Sequence, residues 1–433
     1  MKKAILSVFA LGAMTMINAQ QGTTNDNDVT QAGNGNTATV NQNGLSEKNN
    51  STQLGNGNSI NVYQRHQLNE TTTHQEGNGN TASSMQGLGG WSNKSYVNQA
   101  QYGDGNSAAA SQKTTYMVVA NQTQNGLGNV ASSTQLSGPR MYVDQIQSGN
   151  GNAAYATQVG DGNQIPTWAN NNDIYQSQAG NGNTAHATQN GWGNAAEQWQ
   201  SGDGNLATSG QTGSENVAVQ NQSGNGNIAS NTQNGTENDV WQSQSGNGNN
   251  ANANQSGSDN DADQVQAGDG NNAVAAQTGN LNQGWQNQAG NGNYASLSQA
   301  GNSNAAWQGQ AGNGNSAWVE QAGNDDDSYQ SQSGDGNISQ ASQTGGNGNM
   351  FTSVQEGNVN RVYGTQVGSL NDSDNMQQGT DNLIHNTQTG TSNASYSGQW
   401  GASNSAFVSQ TGTGNMHTGL QSGAGNVITV TQH

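Results

Sequence analysis

The stretch Gln178-Ala-Gly-Asn-Gly-Asn-Thr-Ala-His-Ala-Thr-Gln189 decides the fold, because its spacing repeats. Gln returns every 11 residues from Gln178 to Gln343, at 189, 200, 211, 222, 233, 244 and onward without a slip. Each copy reads Gln-x-Gly-x-x-Asn-x-(small)-x-x-x-Gln. A period this regular outranks any local motif, since stacked copies of one supersecondary unit leave that signature.

One copy divides into a strand and a turn. Asn205, Ala207, Ser209 and Gln211 share one face of an extended chain, and Leu206, Thr208 and Gly210 share the other. The next four residues, Thr212-Gly213-Ser214-Glu215, are expected to reverse the chain. In sister copies this slot reads Ala-Gly-Asn-Gly (179–182) or Ser-Gly-Asp-Gly (201–204). Gly180, Gly182, Gly202, Gly204, Gly224 and Gly226 are therefore the expected turn residues, where glycine takes positive φ without strain. Alternate copies differ, so the true period is 22. One half carries GNGN or GDGN followed by x-Ala; the other ends in Gln-x-Gln, as at Gln242 and Gln244. Two strands of about seven residues joined by tight turns make a flat rung, and rungs stack in register at roughly 4.8 Å. The expected fold is all-β, an amyloid-like β-solenoid of stacked strand-turn-strand rungs.

Other classes fit less well. Strands of about seven residues are too short to cross a bilayer. Each interior Gly would cost a helix about 0.5–1 kcal/mol. A Gly-, Asn- and Gln-rich acidic composition by itself signals disorder, but composition carries no period.

The face with Asn, Ala and Gln is the expected interior. Its core ladder runs through Gln178, Asn183, Gln189, Asn194, Gln200, Asn205, Gln211, Asn216 and Gln222, then Asn227, Gln233, Asn238, Gln244, Asn249, Gln255, Asn260 and Gln266. A primary amide has two donors and an acceptor, so like amides stacked at rung spacing can donate to one neighbour and accept from the other. Left unpaired in a dry seam, each would cost about 1–3 kcal/mol. The second position after Asn stays small or β-branched (Ala207, Ala218, Ala229, Val240, Ala251, Ala262), as two closely facing sheets require. The opposite face mixes His186, Glu197, Asp263, Trp285 and Glu320 and makes a poorer interior.

The organisation follows from the period. Residues 1–19 read as a signal peptide: Lys2 and Lys3, an apolar run to Ile17, and a small-residue site at Ile17-Asn18-Ala19. Residues 20–30 form a polar leader, 31–177 less regular repeats, and 178–433 regular repeats continuous with that stack. The phase slips by four residues between Gln86 and Gln101 and by one near Met117–Gln124 and Arg140–Gln147. The largest break, Gln158 to Gln178, contains Pro166 and is expected to be a looped rung. An extra residue at Gly345-Gly346 shifts the phase once more. The C-terminal strand 426–432 carries the pattern almost to His433 without a charged or proline guard, which predicts end-to-end addition of subunits. The chain has no Cys, so neither disulfides nor thiolate metal sites arise. Its net charge of −19 argues against a nucleic-acid backbone as partner.

Tyr175, Trp241, Trp285, Trp307 and Tyr329 share one outward position; Asp263 interrupts this column and Trp199 lies off its register. The column suits lateral contact or glycan binding, or simply cross-strand stabilisation. Asp239 and Asp261 fall on neighbouring rungs, and Asp325-Asp326-Asp327 form a local cluster in which Asp326 takes a ladder Asn position. Like charges at rung spacing act as a brake on self-association, with calcium binding the alternative. The six His residues show no metal spacing, and no nucleophile or carboxylate pair has a pocket to occupy. No enzyme activity, cofactor or metal is expected.

The half-repeat Gln-x-Gly-x-Gly-Asn-x-Ala-x-x-x-Gln, seen at Gln178–Gln189, Gln266–Gln277 and Gln288–Gln299, resembles the curlin repeat. That family forms curli, the bacterial amyloid fibres of the biofilm matrix. The resemblance implies that Gln178, Gly180, Asn183, Ala185 and Gln189 are core positions. It further implies self-association into fibres, export through a curli-type outer-membrane secretion pore, and templating by a nucleator subunit. The chain departs from the family in carrying far more repeats, and in preferring Gln at the inward position of Gln242 and Gln264. The function expected is thus a secreted subunit of curli-like fibres, without membrane insertion. The rival is a monomeric β-solenoid adhesin binding cells or glycans; an ice-binding solenoid would need a regular Thr array that is absent.

Overall fold

The computed structural model describes the side chains of residues 24–87, 92–160 and 172–433, and the backbone alone of 4–9 and 14–19. Regular structure among these residues is entirely β-strand. The chain falls into two compact units, Met1–Asn221 and Gln222–His433. Each is a parallel β-solenoid in which consecutive strands pass to alternate sheets.

Register follows the sequence period. In the first unit Thr184–Trp192 pairs with Leu206–Ser214, which sets Gln189 beside Gln211. In the second, Ile228–Thr236 pairs with Asn250–Ser258, and Asp239–Ser245 with Asp261–Ala267, so Gln233 meets Gln255 and Gln244 meets Gln266. Side chains alternate as the pleat demands: Asn205, Ala207, Ser209 and Gln211 are buried, while Leu206, Thr208 and Gly210 are only half-buried.

From Thr184 to Ser333 one half of each rung departs from the expected seven-residue strand. Strands ending before a GNGN or GDGN turn have seven residues, as in Asp239–Ser245, but those of the other half have nine, as in Leu206–Ser214. The slot expected to turn at Thr212–Glu215 is therefore strand as far as Ser214. Gly213, at φ 112°, bends the chain while staying in register opposite Gly191. The reversal then falls on Glu215, at φ 57°.

Register also survives the breaks in period. Gln75 bonds Gln101 across 26 residues, Gln101 bonds Gln124 across 23, and Gln158 bonds Gln189 across 31. The extra residue near Gly345-Gly346 is taken up as a register shift between Ala322 and Asn324, late in the pairing of Ser316–Asn324 with Ile338–Asn347. The looped rung expected around Pro166 lies outside the described residues, as does Trp91. Near the N-terminus, Asp26–Ala32 pairs with Lys48–Leu54, and the backbones of Ala4–Phe9 and Met14–Ala19 run parallel to Asp26–Ala32 and Thr37–Leu45.

The seam between sheets is thin. Its apolar contents are small clusters such as Val240, Ala253, Ala262 and Ala275 in the second unit, or Val143, Ala156, Ile174, Ala187 and Ala196 in the first. At two places a large side chain enters opposite a glycine. A Cβ on Gly364 would collide with the Phe351 ring, and one on Gly284 with Leu297. Alanine buries little area, so apolar burial at about 25 cal/mol per Å² supplies only part of the cohesion. The amides must supply order and much of the rest.

Candidate assembly site: the amide ladders

Most of the described strands have an interior Asn just before their start and an interior Gln near their end. Gln178, Asn183, Gln189, Asn194, Gln200, Asn205, Gln211 and Asn216 in the first unit are at most 3% exposed. Gln222, Asn227, Gln233, Asn238, Gln244, Asn249, Gln255, Asn260 and Gln266 in the second are equally buried.

The Gln residues stack like over like. Gln178 Nε2 donates to Gln200 Oε1 at 2.8 Å, Gln222 to Gln244 at 2.9 Å, and Gln244 to Gln266 at 2.9 Å. The second N–H of the amide finds a partner that repeat spacing does not reveal. Gln244 Nε2 donates to the Ile228 carbonyl at 2.8 Å, and Gln255 Nε2 to the Asp239 carbonyl at 2.8 Å, each on the opposing sheet. The inner Gln of Gln-x-Gln does the same: Gln242 reaches Gln264 Oε1 at 2.8 Å and the Ser230 carbonyl at 2.9 Å. Each Gln thus binds along the stack and across it.

Asn works differently from the simple amide-over-amide expectation. Asn183 Oδ1 accepts the backbone N–H of Asn205 at 2.9 Å, and its Nδ2 donates to the Gly202 carbonyl at 2.7 Å. Asn227 likewise accepts from Asn249 N–H at 3.0 Å and donates to Gly246 at 2.8 Å. The short side chain sits beside the turn, where backbone groups are nearer than the next amide. In the other half-repeat amide pairing returns, with Asn216 Nδ2 donating to Asn194 at 3.0 Å and Asn260 to Asn238 at 2.9 Å.

The turn glycines have two distinct jobs. Gly180, Gly202 and Gly224 have φ near 110° (114°, 110° and 108°), and Gly182, Gly204 and Gly226 have φ of 64°, 66° and 64°. A Cβ on Gly224 would collide with the Gly246 carbonyl oxygen, whereas one on Gly226 meets nothing within 4 Å. The second conformation also admits larger residues, since Glu237 adopts φ 56° and Leu281 φ 60° at the turns of the other half. Gly224→Ala should therefore lower the thermal midpoint far more than Gly226→Ala, whose cost is that of one left-handed residue, about 1–2 kcal/mol. Equal losses in a melting experiment would show that rung spacing is not what fixes Gly224.

Two carboxylates occupy Asn positions in the ladder. Asp326 was recognised from the sequence; Glu47 was overlooked, although Gln42-Asn-Gly-Leu-Ser-Glu47 keeps the pattern and its neighbours Gln31, Gln42, Gln53 and Gln64 keep the period. Both are fully buried. Glu47 N–H donates to Asn25 Oδ1 at 3.1 Å, and Glu47 Oε1 accepts from Asn69 Nδ2 at 3.4 Å. Asp326 Oδ1 accepts both the N–H and Nδ2 of Asn349, at 2.9 and 3.0 Å. Neither Glu47 Oε2 nor Asp326 Oδ2 has a partner. Where Asn304 donates to the Gly323 carbonyl at 3.1 Å, an ionised carboxylate has no N–H to give. Burial pushes the Glu47 carboxyl up to about 8, against the Asn69 hydrogen bond. Burial also raises Asp326, opposed by the Asn349 bonds.

On the outside, Trp285 lies in register beside Trp307, and Trp307 beside Tyr329. Trp307 and Tyr329 stack at 4.5 Å with planes 7° apart. With Trp285, Met350 and Thr352 they line a shallow recess of about 140 Å³. Trp241 is 48% exposed and neighbours Asp263. Tyr175 faces Glu197 in its own column, yet its ring meets that of Trp199 at 4.5 Å. A large indole spans the diagonal between columns, which register alone does not reveal. Asp239 and Asp261 are paired neighbours. Burial, then Asp263 and Asp239, push Asp261 up to about 6. Among the described residues no group of three or more His or acidic side chains is placed to hold a metal ion, and no helix is long and apolar enough to cross a membrane.

Together these features define a class: an all-β solenoid whose rungs are keyed to one another by buried Gln and Asn. Residues 379–412 match the family model of the Curlin associated repeat. That stretch contains Gln388 bonded to Gln410 at 3.0 Å and Asn382 bonded to Asn404 at 3.1 Å, the same ladders in another part of the chain. Over these residues the chain is similar to the curlin repeat. No curated protein sequence matches it.

Proposed function

We propose that this protein is a secreted structural subunit that self-assembles into curli-like extracellular amyloid fibres of the cell surface or biofilm matrix. The observation that carries the reading is the polarity of the ladder. Each Gln donates toward the rung that follows and accepts from the rung before, as in Gln222 to Gln244 to Gln266. A rung at an edge therefore presents the same donors and acceptors that an incoming rung completes, and strand addition needs no new chemistry. Removal of residues 1–19 as a signal peptide would leave Asp26–Ala32 and Thr37–Leu45 at one edge. Export through a curli-type outer-membrane pore and templating by a nucleator belong to the same reading.

The test is a time course on the purified chain from residue 20 onward, with amyloid-dye fluorescence and electron microscopy, with and without preformed seeds. Seeded growth of dye-binding fibres is expected. A chain that stays monomeric for days and binds cells or glycans instead would favour the second reading, an adhesin. The stacked Trp307–Tyr329 pair beside its recess is the observation that supports that rival.

A further inference from the structure

The charges of this chain are sorted between its units. Five of its eight Lys and Arg residues lie between Lys48 and Arg140, in the first unit. The second unit holds fifteen Asp and Glu against one cation, Arg361. The cations also share one turn edge. Ser46, Leu68, Lys94, Met117 and Arg140 take φ between 54° and 57° at successive turns. Their backbones form one column, with Leu68 N–H bonded to the Leu45 carbonyl at 3.0 Å, Lys94 to Gln67 at 3.1 Å and Met117 to Asn93 at 3.1 Å. Lys48 begins the strand just past this column, and Arg65 and Lys113 stand just before it. Lys48, Arg65 and Lys113 are exposed, and Lys94 lies over the Tyr116 ring at 5.9 Å. Among the described residues none of these four is in an ion pair. Lys48, Leu68, Glu70, Lys94, Tyr96 and Met117 line a recess of about 340 Å³.

The equivalent turns of the second unit read Glu237, Asp259, Leu281, Ser303 and Asp325, with φ between 55° and 60°. All five are exposed, Leu281 by 55%. Asp239, Asp261 and Asp327 start the strands beside them. Like charges at rung spacing repel, and part-burial deepens the cost. Asp261, Asp239 and Asp327 are all raised, by burial first and then by neighbouring Asp residues. This edge gains from a row of cations, and the other edge from a row of carboxylates. Both turn columns advance by one residue per rung; the acidic one carries carboxylates at the rungs of Glu237, Asp259 and Asp325, and Leu281 offers an apolar counterpart to Leu68 and Met117.

We infer that two copies of this chain associate side by side, the basic turn edge of residues 46–140 in one against the acidic turn edge of residues 237–327 in the other. Each chain then keeps one edge of each sign unused, so the contact is heterologous and propagates into sheets or bundles. This contact is separate from growth at the rung edges and stands whether or not fibres elongate.

The test is a charge swap read by light scattering, sedimentation velocity and electron microscopy. One variant carries Lys48→Glu, Arg65→Glu and Lys113→Glu; the other Glu237→Lys, Asp259→Lys and Asp325→Lys. Each alone should lose lateral association, and the equimolar mixture should recover it. Wild-type bundles should loosen between low salt and about 0.5 M, where screening shortens below about 5 Å. Circular dichroism reports whether each variant keeps its sheet. Folded variants that bundle as wild type, or folded variants whose mixture fails to recover, would overturn the inference. So would bundling that appears only when an anionic polymer is added. Loss of elongation with intact bundling would instead count against the fibre proposal alone.

Discussion

Replacing Asn227 and Gln233 together by leucine should slow seeded growth by more than roughly tenfold, while Thr232→Leu changes it by less than about twofold. Gln233 donates to Gln255 Oε1 at 3.1 Å and to the Asn238 carbonyl at 2.6 Å. Asn227 holds the Gly246 carbonyl at 2.8 Å and the Asn249 N–H at 3.0 Å. Leucine has similar bulk but answers none of these groups. Each one left unpaired in the seam costs about 1–3 kcal/mol, and in a growing fibre the defect recurs in every subunit. Thr232 sits between them on the exposed face and serves as control. Growth rates and thermal midpoints measured together check the expectation. Equal slowing by Thr232→Leu would mean that growth is governed by the outer face.

Glu47→Asn should stabilise the chain above about pH 8 and change little near pH 4. In the folded chain Glu47 keeps its proton until about pH 8, whereas the ordinary value is 4.5. Between those two values the folded state binds the extra proton, so its contribution to stability is complete below 4.5 and is lost as pH rises to about 8. The loss runs at about 1.4 kcal/mol per pH unit within that window and stops above it. Asparagine at this position carries no charge and can donate as Asn69 does. Thermal midpoints of wild type and variant, followed from about pH 4 to pH 9, should coincide in acid and diverge in base. Asp326, raised in the same direction, leaves both proteins some slope; the difference between them isolates Glu47. Parallel curves would show that Glu47 ionises in the fold as it does in the unfolded chain, and would overturn this expectation.

The period made the architecture legible. Alternation of Asn205, Ala207, Ser209 and Gln211 identified the interior, and the 22-residue offset identified which rungs meet, because in-register stacking leaves no other partner for a given column. What stayed hidden was the use of each atom. Gln244 reaching the Ile228 carbonyl depends on the distance between sheets, which no spacing along one chain encodes. Asn227 clamping Gly246 depends on how closely a turn rests on the next. Non-glycine residues such as Leu281 at positive φ were hidden for another reason: the demand is modest, and neighbouring bonds outweigh it. Glu47 was legible but overlooked: it stands five residues after Gln42, where the separation of 22 still holds. The extended reach of the Trp199 ring needs side-chain geometry.

The uneven separations of 23, 26 and 31 residues between bonded Gln partners have a consequence for folding. Where copies are uniform, a chain threaded one turn out of place forfeits only a single turn of pairing, so wrong alignments compete closely with the right one. Segments of odd length break that degeneracy. They act as landmarks, fitting one neighbour and leaving slack or tension beside any other. An otherwise monotonous polymer thereby carries its own address marks, and deleting the odd residues should yield a tidier pattern that finds its native alignment less reliably.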